Sequence, residues 1–375
     1  MKTPDQALGN IAGLKKALED SEFDAIVAVS PENVRYTADV HISTQVSIRD
    51  RLALVVWAKG RDPVFILCFV EVGYAKEESW IQDIRSYKEF VTSPVDLLAD
   101  VLTELGLDKG HVGMELEYFA EAYAAHLRRR LPALKMDACE HIFNQARRYK
   151  TDREVALLQD AFRKTEKALL ATYSNIFEGE TEKSMCNRLV ANIMHSGADS
   201  PAFLHINAGP NTGFPHKPPS DYRVKKGDMV KTDCGGWYSE YITNIGRTAK
   251  MGPLTDEDRS YWTRLREIHH AVIDKLRPGI TGRELFEYAS SLYAKADMEF
   301  PYAHNGHGLG LQVHERPMIS PHEGMAFDAG MVCTVETRVR WPNVKGYHME
   351  DLFLVRDGAP LLLSDAFDNE EILVL

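Results

Sequence analysis

The stretch VKTDCGGWYSEYITNIGRT (230–248) holds the pattern on which the architecture turns. Two strand-like runs flank a polar turn, yet Asp233 and Asn244 sit inside them, eleven residues apart. Burying a carboxylate in such a run is costly unless it finds a partner. The same oddity recurs downstream. HNGHGLGLQVHERP (304–317) sets His304, His307 and His314 among glycines, CTVETRVRW (333–341) carries Glu336, and GYHMEDLFLV (346–355) carries His348 and Glu350. Carboxylates with one imidazole suit a hard or borderline cation. Buried salt bridges to Arg247, Arg338 and Arg340, close by in sequence, are the other use for such acids.

Working outward, the segment EGETEKSMCNRL (178–189) echoes PGITGRELFEYA (278–289): each is a glycine turn, a threonine cap and a helix start. Each follows a long amphipathic helix, the first running from about Asp152 to Phe177, and precedes strand-rich sequence. This order implies an internal duplication. Upstream, the charged stretch ARRYKTDRE (146–154) marks a boundary, with domains at 1–148 and 149–375. The first domain alternates: a helix in 5–20, a strand at Asp24–Ser30 ended by Pro31, apolar strands at Leu52–Ala58 and Val64–Val70, a helix at Pro94–Leu105, a strand at His111–Glu115 and a helix at Ala120–Leu131. That is an α/β unit.

The 375 residues include 44 Lys+Arg against 55 Asp+Glu, a net charge of −11, which argues against nucleic acid as a partner. No apolar run reaches membrane-spanning length, and the N-terminus lacks the apolar core of a signal peptide. The five cysteines are dispersed, without a CxxC pair or a disulfide framework, which fits a reducing cytoplasm.

Taken together, NTGFPHKPP (211–219), KKGDMVKTDCGG (225–236), GHGLGLQVHERP (306–317), TVET (334–337) and GYHMED (346–351) resemble, in order and spacing, the pita-bread metallohydrolases: methionine aminopeptidase, aminopeptidase P, prolidase and creatinase. SPENVRYTA (30–38) and the first domain resemble the N-terminal part of the creatinase/prolidase branch. The fold class implied is α+β, a creatinase-like α/β domain followed by a pita-bread catalytic domain. The resemblance also implies a homodimer and a divalent metal (Mn, Zn, Co or Fe), one or two ions, held at Asp233, Asn244, His307, Glu336 and Glu350. His216 and His314 align with histidines that contact substrate or transfer protons, and Glu336 with the proton acceptor. His348 and Arg338 are further substrate-binding candidates.

Departures from the family pattern matter here. Asn244 stands where the family has a bridging Asp, and a neutral amide bridges poorly. Arg338 and His348 stand where peptidases have glycine and arginine, and creatinase's distinguishing Glu is replaced by Gly246. The resemblance thus implies a C–N hydrolase most like a metal-dependent Xaa-Pro dipeptidase. The alternative is a creatinase- or ectoine-hydrolase-like enzyme acting on a small amide or amidine with weak or no metal, and third comes an inactive binding module. Arg49 and Arg51, in STQVSIRDRLALVV (43–56), are candidates to reach a partner subunit's site.

Overall fold

Six short strands organise the first part of the chain: β1 (Ala25–Ala28), β2 (Leu54–Ala58), β3 (Val64–Cys68), β4 (Asp83–Tyr87), β5 (His111–Met114) and β6 (Lys135–Ala138). In the computed structural model, which describes residues 2–48 and 50–375, they form one sheet in the order β4-β3-β2-β1-β5-β6. The central strands are apolar on both faces because helices cover them. Val27, Leu54, Val56, Ile66 and Val112 pack with Leu98 and Leu102 from the helix Pro94–Glu104. This unit runs to Thr151, and a second compact unit begins at Asp152.

One expectation for the first unit changes. Pro31 does not merely end a strand; it occupies the first turn of a helix, Pro31–Ala38, whose cap Ser30 accepts a hydrogen bond from the Asn33 amide. Arg51 is engaged by Glu89 through two parallel hydrogen bonds of 2.9 and 2.8 Å, while Arg49 lies outside the described residues.

In the second unit the strands are β7 (Ser200–Ala208), β8 (Met229–Tyr238), β9 (Tyr241–Ile242), β10 (Ile245–Lys250), β11 (His307–Gly308), β12 (Glu315–Met318), β13 (Val332–Trp341), β14 (Lys345–Leu354), β15 (Leu361–Leu362) and β16 (Leu373–Val374). Its main sheet runs β13-β14-β10-β8-β7, with β9, β15 and β16 attached at its margins. Alternation along β8 sends Thr232 toward the helix Asp152–Tyr173, where its hydroxyl meets Tyr173 at 2.9 Å, and leaves Lys231 and Asp233 on the opposite face. That helix stops at Tyr173, short of Phe177, as Ser174 and Asn175 turn their side chains back onto the carbonyls of Leu170 and Ala171.

The duplication is visible bond by bond. Gly179 donates to Val224 and Gly279 to Phe327; Glu182 donates to Tyr222 and Gly282 to Met325. Further on, Met251 donates to Asp228 and Val355 to Met331. The hairpin β8–β10 pairs Asp233 with Gly246, and the hairpin β13–β14 pairs Glu336 with Glu350. Superposing the two registers makes Asp233 equivalent to Glu336, Gly246 to Glu350, and Asn244 to His348.

Candidate active site

Strand pairing gathers the acids that the sequence scatters. Register links Glu336 to Glu350, Glu350 to Gly246, Gly246 to Asp233 and Asp233 to His205, one row across five strands. The next row on the same face is basic: Arg338 pairs with His348, and Lys231 lies between Thr248 and Asn207. Gly246 is required here, since a Cβ at that position would come within 2.6 Å of the His348 ring. Gly306 has φ +146°, and a Cβ there would meet the Thr334 carbonyl oxygen at 2.0 Å. This close approach lets the His307 amide donate to the Thr334 hydroxyl at 3.1 Å.

The three carboxylates are buried and each has a protein partner. Glu336 faces Arg338 at 2.5 Å, His348 at 2.9 Å and Arg340 at 3.8 Å. Asn244 donates to Asp233 at 2.8 Å and to Glu350 at 3.4 Å. Glu350 also lies 3.4 Å from His307 Nε2. Arg247, the other cation expected to pair with these acids, leaves β10 on the far face and binds Glu166 at 2.6 Å and Asp351 at 2.8 Å.

Around this centre stand imidazoles. His216 Nε2 lies 3.6 Å from Asp233 Oδ2 and is largely exposed, 62%. The rings of His307 and His314 are 4.5 Å apart, and His304 Nδ1 lies 3.6 Å from Glu336. Two residues escaped the sequence reading. His205 pairs across from Asp233, with its ring 5.1 Å from that of His216. Lys231 is fully buried and donates to the carbonyls of Phe214 at 2.6 Å and Pro215 at 2.8 Å, directly before His216. For Lys231 the signal was present, because a residue two before Asp233 in a strand shares its face. For His205 no motif pointed the way.

Burial sets the electrostatics. It opposes charge on Glu336, but the Arg338 guanidinium and then His348 outweigh it and hold that carboxyl well below its ordinary range. Glu350 is pushed well above its range by burial, then by the charges of Glu336 and Asp233. Burial lowers His307 and His348, and brings His304 and His314 to about 4. Lys231 falls to about 7, through burial and then the charge of Arg340. These imidazoles are therefore neutral near pH 7 and able to bind a cation.

Residues 156–357 of the chain match metallopeptidase family M24. The chain belongs to that family. Residues 10–149 match the creatinase/prolidase N-terminal domain, so the first unit of this M24 member is also accounted for. Among curated relatives, the Xaa-Pro dipeptidase of Lactobacillus helveticus is 28% identical over 359 residues, covering 93% of this chain and 95% of that one. The Xaa-Pro dipeptidase of Pyrococcus horikoshii is 26% identical over 342 residues, covering 90% and 92%. Among solved structures, an Xaa-Pro dipeptidase from Bacillus anthracis superposes with a TM-score of 0.87 at 23% identity, covering 98% of this chain and 99% of its own. The α+β architecture of this M24 member, a creatinase-like domain followed by a pita-bread domain, is thus shared along its whole length.

Proposed function

We propose that this prolidase-like M24 hydrolase cleaves the C–N bond of a small substrate, with an Xaa-Pro dipeptide as its first candidate. The observation that carries this reading is the convergence of Asp233, Glu336 and Glu350 with His216, His307 and His314 on one sheet face. Curated relatives named Xaa-Pro dipeptidase, spanning nearly the whole chain, support the choice of substrate.

The family implies a divalent metal, and the donor set fits one ion better than two. Asn244 presents its amide nitrogen to Asp233 and Glu350, and Arg338 covers one oxygen of Glu336. Three carboxylates, one of them already paired with Arg338 and Arg340, do not balance two dications. Asp233, His307, Glu336 and Glu350 are the family positions that would hold an ion. When bound, it polarises the scissile carbonyl and acidifies a water. Mn, Zn, Co and Fe all suit such nitrogen and oxygen donors.

The chain's own groups divide the remaining work. Arg338 makes Glu336 a weak base, so the proton-acceptor role expected of Glu336 passes to His216. Asp233 orients the His216 imidazole, which faces solvent and can take the proton of the attacking water. His314, neutral at pH 7, stabilises the tetrahedral intermediate, with Arg338 lining the substrate side. A homodimer in the cytoplasm, with no nucleic-acid or membrane partner, completes the proposal. Among the described residues no helix is long and apolar enough to cross a membrane.

Arg338 and Asn244 also favour a second reading, hydrolysis of a small non-peptide amide or amidine with little dependence on metal. Assays of Xaa-Pro dipeptides and of creatine-type amidines, each with added Mn²⁺ and after chelation, separate the two. Metal-stimulated dipeptide turnover supports the first reading. Turnover of an amidine that survives chelation replaces it with the second.

A further inference from the structure

We infer that this chain has moved its metal site, exchanging the ligand lost at Asn244 for one gained at His348, so that a single divalent ion is held by Glu336, His348 and Glu350. Among the described residues these three alone bring ligand atoms of three His, Cys, Asp or Glu side chains within 4.8 Å of one another. All three are buried, at 7%, 0% and 1% exposure. Independent of that clustering, Glu350 Oε1 and both ring nitrogens of His348 are buried without a hydrogen-bond partner, and His348 Nε2 is turned toward Glu336 Oε1 at 2.9 Å. Buried nitrogen and oxygen atoms left without hydrogen bonds in one cluster suit a cation as their common partner.

The internal duplication explains why the exchange works. Asn244 and His348 occupy equivalent positions of the two hairpins, each two residues from the partner of the paired acid. The sheet brings those hairpins side by side through the pairing of Gly246 with Glu350. Gly246, with no side chain, leaves room for the His348 ring above β10. An imidazole on the second hairpin therefore reaches the cavity that a carboxylate on the first would otherwise share.

The engaged oxygens point to one ion and to its place. Glu336 gives Oε2 to Arg338 and turns Oε1 toward His348 Nε2, so it can coordinate through one oxygen only. Asp233 gives Oδ1 to Asn244. Glu350 Oε2 accepts from Asn244, which leaves Glu350 Oε1 for the ion beside Glu336 Oε1 and His348 Nε2, with His307 Nε2 3.4 Å from Glu350 Oε1. Three protein ligands and one position left for water is the coordination of a hydrolytic metal ion. The inference deepens the hydrolase reading and relies on it only for the use made of the ion.

Metal binding is read without substrate, so it stands or falls apart from the activity. Chelator-treated full-length protein is titrated with Co²⁺ by calorimetry, alongside visible absorption of the Co²⁺ complex. Wild type should take up about one equivalent. His348→Gln, checked for folding by circular dichroism, should weaken binding at least about tenfold and shift the cobalt spectrum. Asn244→Asp is nearly isosteric and keeps the fold. It should still bind about one equivalent, because Arg338 continues to cover Glu336. Two equivalents in wild type or in Asn244→Asp, no Co²⁺ binding, or an unchanged affinity in folded His348→Gln would each overturn the inference.

Discussion

The guanidinium of Arg338 lies 2.5 Å from Glu336 Oε2, and the two side chains leave the same face of one strand. They are two residues apart, so the β alternation holds them together before any ligand arrives. Arg338 also rests over the Tyr302 ring, 4.4 Å from its centre, which limits its escape.

Removing that cation should therefore change what the pocket binds. The double variant Arg338→Gly with Asn244→Asp exposes both oxygens of Glu336 and supplies a fourth carboxylate. It should bind about two equivalents of Mn²⁺, where either single variant binds about one. Elemental analysis after dialysis against Mn²⁺ provides the count, and a double variant that still holds one ion contradicts the charge argument.

Lys231 is placed to hold His216 over Asp233. Lys231→Met strands the carbonyls of Phe214 and Pro215, at about 1–3 kcal/mol for each unsatisfied group. We expect kcat to drop toward that of His216→Ala, which should lose about two to four orders of magnitude. KM should change far less. Full kcat in Lys231→Met would show that the loop holds His216 without the lysine.

Stability should decline on the acid side of neutrality. Burial brings the folded-state pKa of His304 and His314 to about 4, below the ordinary 6.5. The unfolded chain then binds more protons between those values, so stability is fully present above about pH 6.5 and is lost as pH falls toward 4. Urea midpoints measured between about pH 7 and 4.5 should fall steadily, and His304→Gln should flatten the slope. A midpoint independent of pH over that range contradicts the assignment.

On the far face of the sheet, Arg247 ties Glu166 to Asp351, and all three are buried. Asp351 also meets His269 at 3.2 Å. Arg247→Met removes the cation that the two buried carboxylates share and should cost about 3–5 kcal/mol. Urea denaturation checks this, and a loss below about 1 kcal/mol would mean that Glu166 and Asp351 take up protons at little cost.

Much of this site could be read from the chain alone, because its acids interrupt apolar strands and its histidines sit in glycine-rich turns. The family blocks supplied the order in which those acids meet. What could not be read was which cation faces which acid. Arg247 and Arg338 are both near the acids in sequence, yet one points away from the pocket and the other into it. That difference depends on strand pairing between distant segments, which local periodicity does not encode. Pro31 misled for a local reason: proline both ends strands and begins helices, and only the Ser30 cap separates the two uses.

The pairing of Gly246 with Glu350 also governs when the pocket can come into existence during synthesis. Asp233 and Asn244 leave the ribosome long before Glu336, His348 and Glu350. Until β14 arrives, β10 has one edge unpaired and its carboxylate neighbour has no opposing wall. A nascent or prematurely terminated chain thus carries half a pocket and an open strand edge prone to pair with another chain. Chemistry begins only after β14 has been added.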